Sequence, residues 1–543
     1  MENSIQLAIE KWRQVVGTEN VLSSAAALSS YATTTTAVEM RIAGVLRPVS
    51  EGEVQQIVEI ARQHRIPVYP TSTGRNWGYG CGNPPRHDCV VVDLSRMNCI
   101  IALSVEEGTT TIEPGVTQGQ LALRLDQDQA PLLVPVTGAG PDVSLVGNAL
   151  ERGYGLTPYS DHFSAVIRIR AVLADGSIYQ SPLAELDDPS ISRLHKWGIG
   201  PYLDGLFSQG NFGIVTQMTL ALARRQECNE GFFFLIKDEN KLEAALEGTR
   251  SILRTLGGLV SSVNLMNTHR VLAMTRRYPK ELISERGLIS PELVAQLRAS
   301  SGLSAAWTGL GALYGPRSLV KVARREIRRL LAPCRAKVRF LGSDKLSRLR
   351  KILSVTPHPW FKNLKDSLET AQSTLRMIEG RPITTALNLA YWKTGLRPPA
   401  GTAMNPAQDG CGLLWFAPLV PNKPDRVRLY TETVKSICQL HGMEPLITLT
   451  ELSERCIGSS VPLLFDKKNP EETRRAHKCL DQLFEECRSK GFHPYRVGHH
   501  LMSKLVKDDS VFWRFADSLK HAVDPCNIIA PGRYSLSNEN PSV

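Results

Sequence analysis

The chain has 543 residues, 42% hydrophobic and 22% charged, with 64 Lys and Arg against 53 Asp and Glu for a net charge of +11. That length predicts two or three domains rather than one core, and the composition excludes a disordered or fibrous chain. The best apolar runs, Ala130 to Pro141 and Cys411 to Pro421, fall short of a membrane span, and the opening MENSIQLAIEKW lacks the basic start and apolar middle of a secretory signal.

In chain order, Ile5, Ala8, Ile9, Trp12, Val15 and Val16 share one helix face over Ser4 to Val16, closed by Gly17. Ser23 to Ala37 is rich in Ser, Ala and Thr and weakly periodic. Ser50 and Glu53 have capping-box spacing, so Glu51 to His64 reads as a helix with Val54, Ile57, Val58 and Ala61 inward. Strands are expected at Ile66 to Tyr69, Cys89 to Leu94 and Thr109 to Ile112, and a helix at Gln118 to Asp126. Asp142 to Tyr159 is glycine-punctuated with little periodicity, whereas Ser164 to Leu173 and Gly213 to Leu222 alternate like strands. After Arg225 strand-like runs (Gly231 to Ile236, Leu413 to Phe416, Val461 to Phe465) alternate with longer helices such as Glu471 to Lys490, which implies a second domain with a helix-covered sheet. Arg397 to Asp409 is a loop, and Val511 to Val523 is a last helix before DPCNIIAPGR. The fold class is α+β.

The basic surplus concentrates at Arg317 to Arg335 and Lys345 to Lys351. Arg324, Arg325, Arg328 and Arg329 beside Leu319, Val320, Ile327, Leu330 and Leu331 read as the solvated face of an amphipathic helix or as an anion or partner site. Eleven cysteines without a CxxC motif fit free thiols in a reducing compartment, so a cytoplasmic location and no metal are expected.

Residues 70 to 80, PTSTGRNWGYG, form a Gly/Ser/Thr loop whose N–H groups suit phosphate oxygens. It is neither a Walker loop nor a clear GxGxxG fingerprint, and taken alone it reads first as an ordinary tight turn and second as a phosphate site.

Seven motifs in order settle the family likeness: STGRNWGYG at 72 to 80, VVVDLSRMN at 90 to 98, GNALERGYGLTPYSDH at 147 to 162, DGLFSQGNFGIVT at 204 to 216, NPEETRRAHKCLDQL at 469 to 483, YRV at 495 to 497 and DPCNIIAPGR at 524 to 533. Over nearly its whole length the chain resembles the vanillyl-alcohol oxidase and 4-cresol dehydrogenase (p-cresol methylhydroxylase flavoprotein subunit) family of FAD-linked oxidoreductases. The resemblance implies a two-domain PCMH-type fold: an FAD-binding domain over 1–227 with 489–543 returning to it, and an α+β cap over 228–488. It places Thr71, Ser72, Thr73, Gly74, Arg75 and Asn76 at the pyrophosphate. Gly138, Gly147, Asn148, Arg152, Gly210, Gly213 and Val215 line the rest of the cofactor, and Arg533 matches a basic residue at the flavin N1 and O2 edge.

Substrate chemistry in the family starts from a para-substituted phenol, whose phenolate drives hydride from the benzylic carbon and leaves a quinone methide. Tyr79, Tyr495 and Arg496 match the phenolate donors, Tyr159 another active-site tyrosine and Asp142 an acid near N5. Read without the family, Tyr79 is loop packing, Tyr495-Arg496 a strand end and Asp142 a turn residue after proline.

Two departures stand out. Leu413 occupies the position of the covalent flavin tether, so FAD is expected to be non-covalent, with Cys411 two residues away as an alternative nucleophile. Gly458 and Ser459 replace a histidine pair near the substrate, and His499 and His500 are read as surface residues at a helix start. The expected activity is benzylic oxidation of a phenol. The alternatives are FAD-dependent oxidation of a non-phenolic alcohol or natural-product intermediate, or a non-catalytic flavoprotein subunit. A small-molecule substrate, no nucleic acid, no membrane, a homodimer and no cytochrome partner complete the expectations.

Overall fold

The computed structural model describes residues 2–536 except 187–188, 285–286, 301–304, 344, 348–361, 397 and 400–401. Arg348 to Lys351 of the second basic segment and Arg397 of the loop therefore lie outside the described residues.

Every residue of the strand Cys89–Asp93 is buried, the pattern of a central parallel strand covered on both faces. It pairs in parallel with Ile42–Leu46 and with Val68–Thr71, and Val21–Leu22 closes the outer edge. The helix Glu51–His64 crosses over this sheet with Val54, Ile57, Val58 and Ala61 inward, as the periodicity requires. Its cap is half of the expected box. Ser50 accepts from the Glu53 N–H, but the Glu53 carboxylate accepts from Val49 N–H rather than from Ser50. Glu2–Val16 packs Ala8 and Trp12 onto the same core. A five-stranded antiparallel sheet follows, in the order Ile100–Ser104, Thr109–Ile112, Ile214–Ala221, Val166–Val172, Ile178–Gln180.

The strands between Cys228 and Pro494 belong to a nine-stranded sheet. At its centre Val260–Asn267 lies between Trp307–Gly315 and Thr448–Glu451, which pairs on to Cys456–Asp466. Both Cys411–Phe416 and Pro418–Pro421 pair with Cys456–Asp466. The helices Leu242–Leu256, Arg317–Leu331, Pro424–Leu440 and Pro470–Ser489 share one apolar core with this sheet. Strand alternation then sorts the other side chains: Leu414 and Phe416 enter that core, while Leu413 and Trp415 face the opposite way.

Arg317–Leu331 buries Val320, Ala323, Ile327 and Leu331 but leaves Leu319 exposed. Arg324 and Arg329 pair with Glu230 and Glu326, and Arg328 lies 4.8 Å over Phe340, so this face is paired and solvated rather than an open anion site.

The tail returns to the first sheet. Ile529 bridges Val68 in parallel, and the buried Lys520 donates to Asn211 O (2.6 Å), Ile529 O (2.9 Å) and Asp524. That anchor brings Arg533 beneath the N-terminal sheet.

Candidate functional site

A cavity of about 450 Å³ opens where the N-terminal strands end against the nine-stranded sheet. Thr71, Ser72, Thr73, Gly74, Arg75 and Asn76 line it as the chain leaves Val68–Thr71. Among the described residues, the N–H groups of Ser72 to Asn76 donate to no protein acceptor. A loop of unspent donors is what a phosphate requires. Gly138, Gly147, Asn148, Gly210, Gly213 and Val215 also line the cavity. A Cβ at Gly147 would meet Ser72 Oγ at 2.4 Å, so the loop and the helix Leu145–Leu150 are in close approach.

At the other end stand three charges. Glu151 pairs with Arg533 and lies 3.2 Å from Arg496 Nε. Arg533 also donates to Gly210 O (3.2 Å) and to the Tyr69 hydroxyl (3.4 Å). Burial opposes the Glu151 charge, yet the two guanidinium groups hold its carboxyl below the ordinary range. Burial likewise opposes the charge on Arg496 and Arg533, and Glu151 holds both above the ordinary value. Two cations around one anion leave a surplus of +1.

Tyr79 lies beneath Arg496, whose guanidinium carbon is 4.1 Å from the ring centroid, and Arg496 also donates to Asn76. Tyr495 is the neighbouring residue, emerging from His493–Pro494. Its ring sits 5.7 Å from that of Tyr154, whose hydroxyl hydrogen-bonds it. Burial pushes the Tyr79, Tyr154 and Tyr495 phenols above their ordinary value. All three are therefore protonated donors at neutral pH, and with Arg496 they converge on one end of the cavity.

Three sequence-derived residues are not brought in. Tyr159 is 39% exposed: the bridge between Tyr154 and Asp161 closes a loop that turns Tyr154 inward and Tyr159 out. Asp142 is exposed in the turn before Leu145–Leu150 and borders a second cavity of about 430 Å³ beside Tyr31, Asn405 and Gln408. Arg152 donates to the Ser208 hydroxyl (2.9 Å) and carbonyl (3.3 Å), holding the Ser208–Gly213 segment from behind rather than lining the cavity.

Leu413 lines the cavity, but Cys411 does not; burial pushes its thiol up to about 12, which leaves it without thiolate. His499 and His500 are half-buried rather than on the open surface. His499 packs edge-on to Tyr69, His500 against His477, and burial pulls both down to about 3, so both are neutral.

The absent histidine pair has a structural counterpart. A Cβ on Gly458 would meet the Tyr154 hydroxyl at 2.7 Å, so the missing side chain makes room for that phenol. Gly78 does the same for Trp415: its φ is +76°, and a Cβ there would meet the indole at 2.2 Å.

Glu151, Tyr154, Trp415 and Arg270 were not singled out from the sequence. The first two sit inside the ERGYG motif beside residues that were, so proximity was the available signal. Arg270, on the helix Thr268–Thr275, carried no signal.

A family model described as an FAD binding domain matches residues 42–181. The chain is 34% identical over 540 residues to 1'-carboxy-chondrochloren decarboxylase of Chondromyces crocatus, covering 99% of this chain and 98% of that protein. It is 27% identical over 537 residues to the 4-cresol dehydrogenase (hydroxylating) flavoprotein subunit of Pseudomonas putida, covering 98% and 96%. The crystal structure of p-cresol methylhydroxylase with substrate bound superposes with a TM-score of 0.88 at 26% identity, covering 99% of this chain and 98% of that one. The 4-ethylphenol oxidase of Gulosibacter chungangensis, in an isoeugenol complex, shares the fold at a TM-score of 0.87 and 23% identity over 99% of this chain and 98% of that one. The chain belongs to the PCMH-type FAD family of the 4-cresol dehydrogenase flavoprotein: it is an FAD-linked oxidoreductase with the two-domain α+β fold of that family.

Proposed function

We propose that the protein oxidises the benzylic carbon of a para-substituted phenol through a quinone methide. One observation carries this reading: Tyr79, Tyr495 and Arg496 gather donors at one point of a cavity whose Glu151, Arg496 and Arg533 cluster is one positive charge in surplus. An apolar cleft otherwise resists an anion, whereas this end is built to receive one. Tyr154 orients Tyr495, and burial outweighs the pull of Arg496 on its proton, so it acts as a positioning residue.

On this reading Thr71 to Asn76 would hold the phosphates of FAD, Gly138, Gly147, Asn148, Gly210, Gly213 and Val215 would line the rest of the cofactor, and Arg533 would stand near its ring. Bound FAD would supply a two-electron acceptor for the hydride of a benzylic C–H, and the relative at 34% identity is named a decarboxylase of a carboxylated compound. The phenol proton passes to solvent as the ring oxygen enters the Tyr79, Tyr495 and Arg496 cluster, since among the described residues the carboxylate nearest that cluster, Glu151, is already engaged by both arginines. Leu413 at the tether position, with Cys411 outside the cavity, supports non-covalent FAD. Eight of the nine strands of that sheet support a cap over 228–488, with 1–227 and 489–543 as the FAD-binding domain, and the ninth, His493–Pro494, joins the cap sheet from just beyond that boundary. The proposed working unit is a homodimer that passes electrons to oxygen or a small acceptor rather than to a cytochrome.

Anaerobic mixing of the yellow holoenzyme with a series of 4-alkylphenols tests the reading. Bleaching of the flavin is expected, slowed at least ~100-fold in Tyr79→Phe, since a buried oxyanion then loses a donor. Bleaching by non-phenolic alcohols but by no phenol refutes it.

A further inference from the structure

The cavity holds a further cation that the phenol chemistry does not use. Arg270 lies in the helix Thr268–Thr275, held in place because Asn267 caps that helix, accepting from the Arg270 N–H (3.0 Å) and from Ile447 N–H (3.1 Å) while donating to Pro445 O (2.7 Å). The Arg270 side chain lines the cavity with Met274, one helical turn on, and with Leu413 and Trp415. Its Nε and Nη1 are sealed from solvent and hydrogen-bond to nothing. No carboxylate pairs with it among the described residues, and burial alone sets its acidity, pulling the guanidinium down to about 10, still charged at neutral pH. Among the described residues its favourable neighbour is the Trp415 ring, 5.7 Å from the guanidinium carbon.

The other deep arginines of the cavity show the contrast. Arg496 and Arg533 share Glu151. A buried charge left unpaired is strongly unfavourable, and a fold keeps one where a ligand supplies the counter-charge. Trp415 also fixes where that ligand lies. Its backbone N–H donates to Gly78 O (3.2 Å) and its ring fills the space above Gly78, next to the phenol-binding Tyr79. Arg270 thus stands across one indole from the place proposed for the phenol.

We propose that Arg270 is the receptor for a carboxylate on the para arm of the substrate, so that the physiological substrate is an anionic 4-hydroxyphenyl acid rather than a simple alkylphenol. The position of the arm rests on the phenol reading above; the anion subsite does not. A neutral arm leaves the guanidinium unpaired, and an arm ending in carboxylate forms a charge-assisted pair with it.

The test is titration of the anaerobic holoenzyme, by calorimetry, with 4-hydroxybenzoate, 4-hydroxyphenylacetate and 3-(4-hydroxyphenyl)propionate, each against its primary amide. At least one acid is expected to bind about 10-fold or more tightly than its amide, the gain of one charge-assisted hydrogen bond. That preference vanishes in Arg270→Met and survives in part in Arg270→Lys, with FAD content unchanged in both. Without ligand, Arg270→Met is expected to melt higher than the parent, because it removes an uncompensated charge. Equal binding of every acid and amide pair in the parent overturns the proposal. So does a preference that persists in Arg270→Met, or loss of FAD or a sharply lower melting temperature in both variants, which makes the guanidinium a cofactor or structural group. The phenol reading is separated by phenylacetate and phenylacetamide. If these bind as well as their hydroxylated forms, the phenol site fails, while an Arg270-dependent preference for the acid still upholds the anion subsite.

Discussion

Replacing Arg496 by Met removes the positive charge proposed to stabilise the phenolate. A phenolate oxygen accepting from Tyr79 and Arg496 sits roughly 4 Å from the guanidinium carbon, a separation set by hydrogen-bond lengths. At an effective dielectric constant near 20 a unit charge there is worth ~4 kcal/mol, or about 3 pKa units of the bound phenol. Glu151, 3.2 Å from Arg496 Nε, offsets part of this. A net shift of about 2 units remains, taken as half to two-thirds of that Coulomb figure. Stopped-flow bleaching of the flavin by 4-ethylphenol, followed from pH 6 to 10 without oxygen, reads it directly. In the parent the rate should reach its plateau well below the pH at which a free phenol ionises, near 10. In Arg496→Met the ionisation should move up by about 2 units, a deficit of ~100-fold near pH 7 that closes as the pH approaches 10. A deficit of the same size at every pH means misplaced substrate rather than a missing charge and refutes the reasoning.

Other outcomes follow from the same geometry. Glu151→Gln leaves Arg496 and Arg533 facing each other across a neutral amide and should destabilise the protein by about 3–5 kcal/mol, read as a lower urea midpoint. Glu451 is fully buried between Thr249 and Asn422, and burial raises its carboxyl to about 8 from 4.5. Between those values the folded state holds a proton that the unfolded state has released, so its contribution is full below pH 4.5 and is lost as the pH rises through about 8. Glu451→Gln should abolish that loss, on the order of 5 kcal/mol by pH 9, and make the urea midpoint flatter across the range. Gly458→Val drives a side chain into the Tyr154 hydroxyl and should slow flavin bleaching ~10-fold with FAD retained, the consequence of about 1–3 kcal/mol of overpacking at the site. Acid precipitation of the parent and of Cys411→Ser should release all yellow colour from both, whereas colour held in the parent's pellet alone makes Cys411 the tether.

Much of this was written locally. Cys89–Asp93 is a continuous apolar run and Glu51–His64 a clean apolar stripe, so both elements followed from periodicity. Ala25–Ala32 did not: apart from Leu28 and Tyr31 its residues are small, none is buried, and only the Ser24 cap marks it. Ile42–Leu46 is short and broken by Ala43 and Gly44, and it becomes a strand through parallel pairing with a partner more than forty residues away. In the site, the loop Thr71 to Asn76 proposed for the phosphates stood out in the sequence because of its glycines and hydroxyls. The inward tyrosine was not, since Tyr154 and Tyr159 flank one loop and only the bridge to Asp161 decides which faces in. Arg270 was invisible for a similar reason. Its meaning lies in the partners it lacks, and the absence of partners is a property of three dimensions.

The account turns on where a phenolic oxygen rests. A crystal structure of the holoenzyme with a bound 4-hydroxyphenyl ligand measures it directly. The account predicts that oxygen within hydrogen-bonding distance of the Tyr79 and Tyr495 hydroxyls and of Arg496, with the para arm directed past Trp415. A ligand bound in reverse, or with its hydroxyl on any other group, contradicts it.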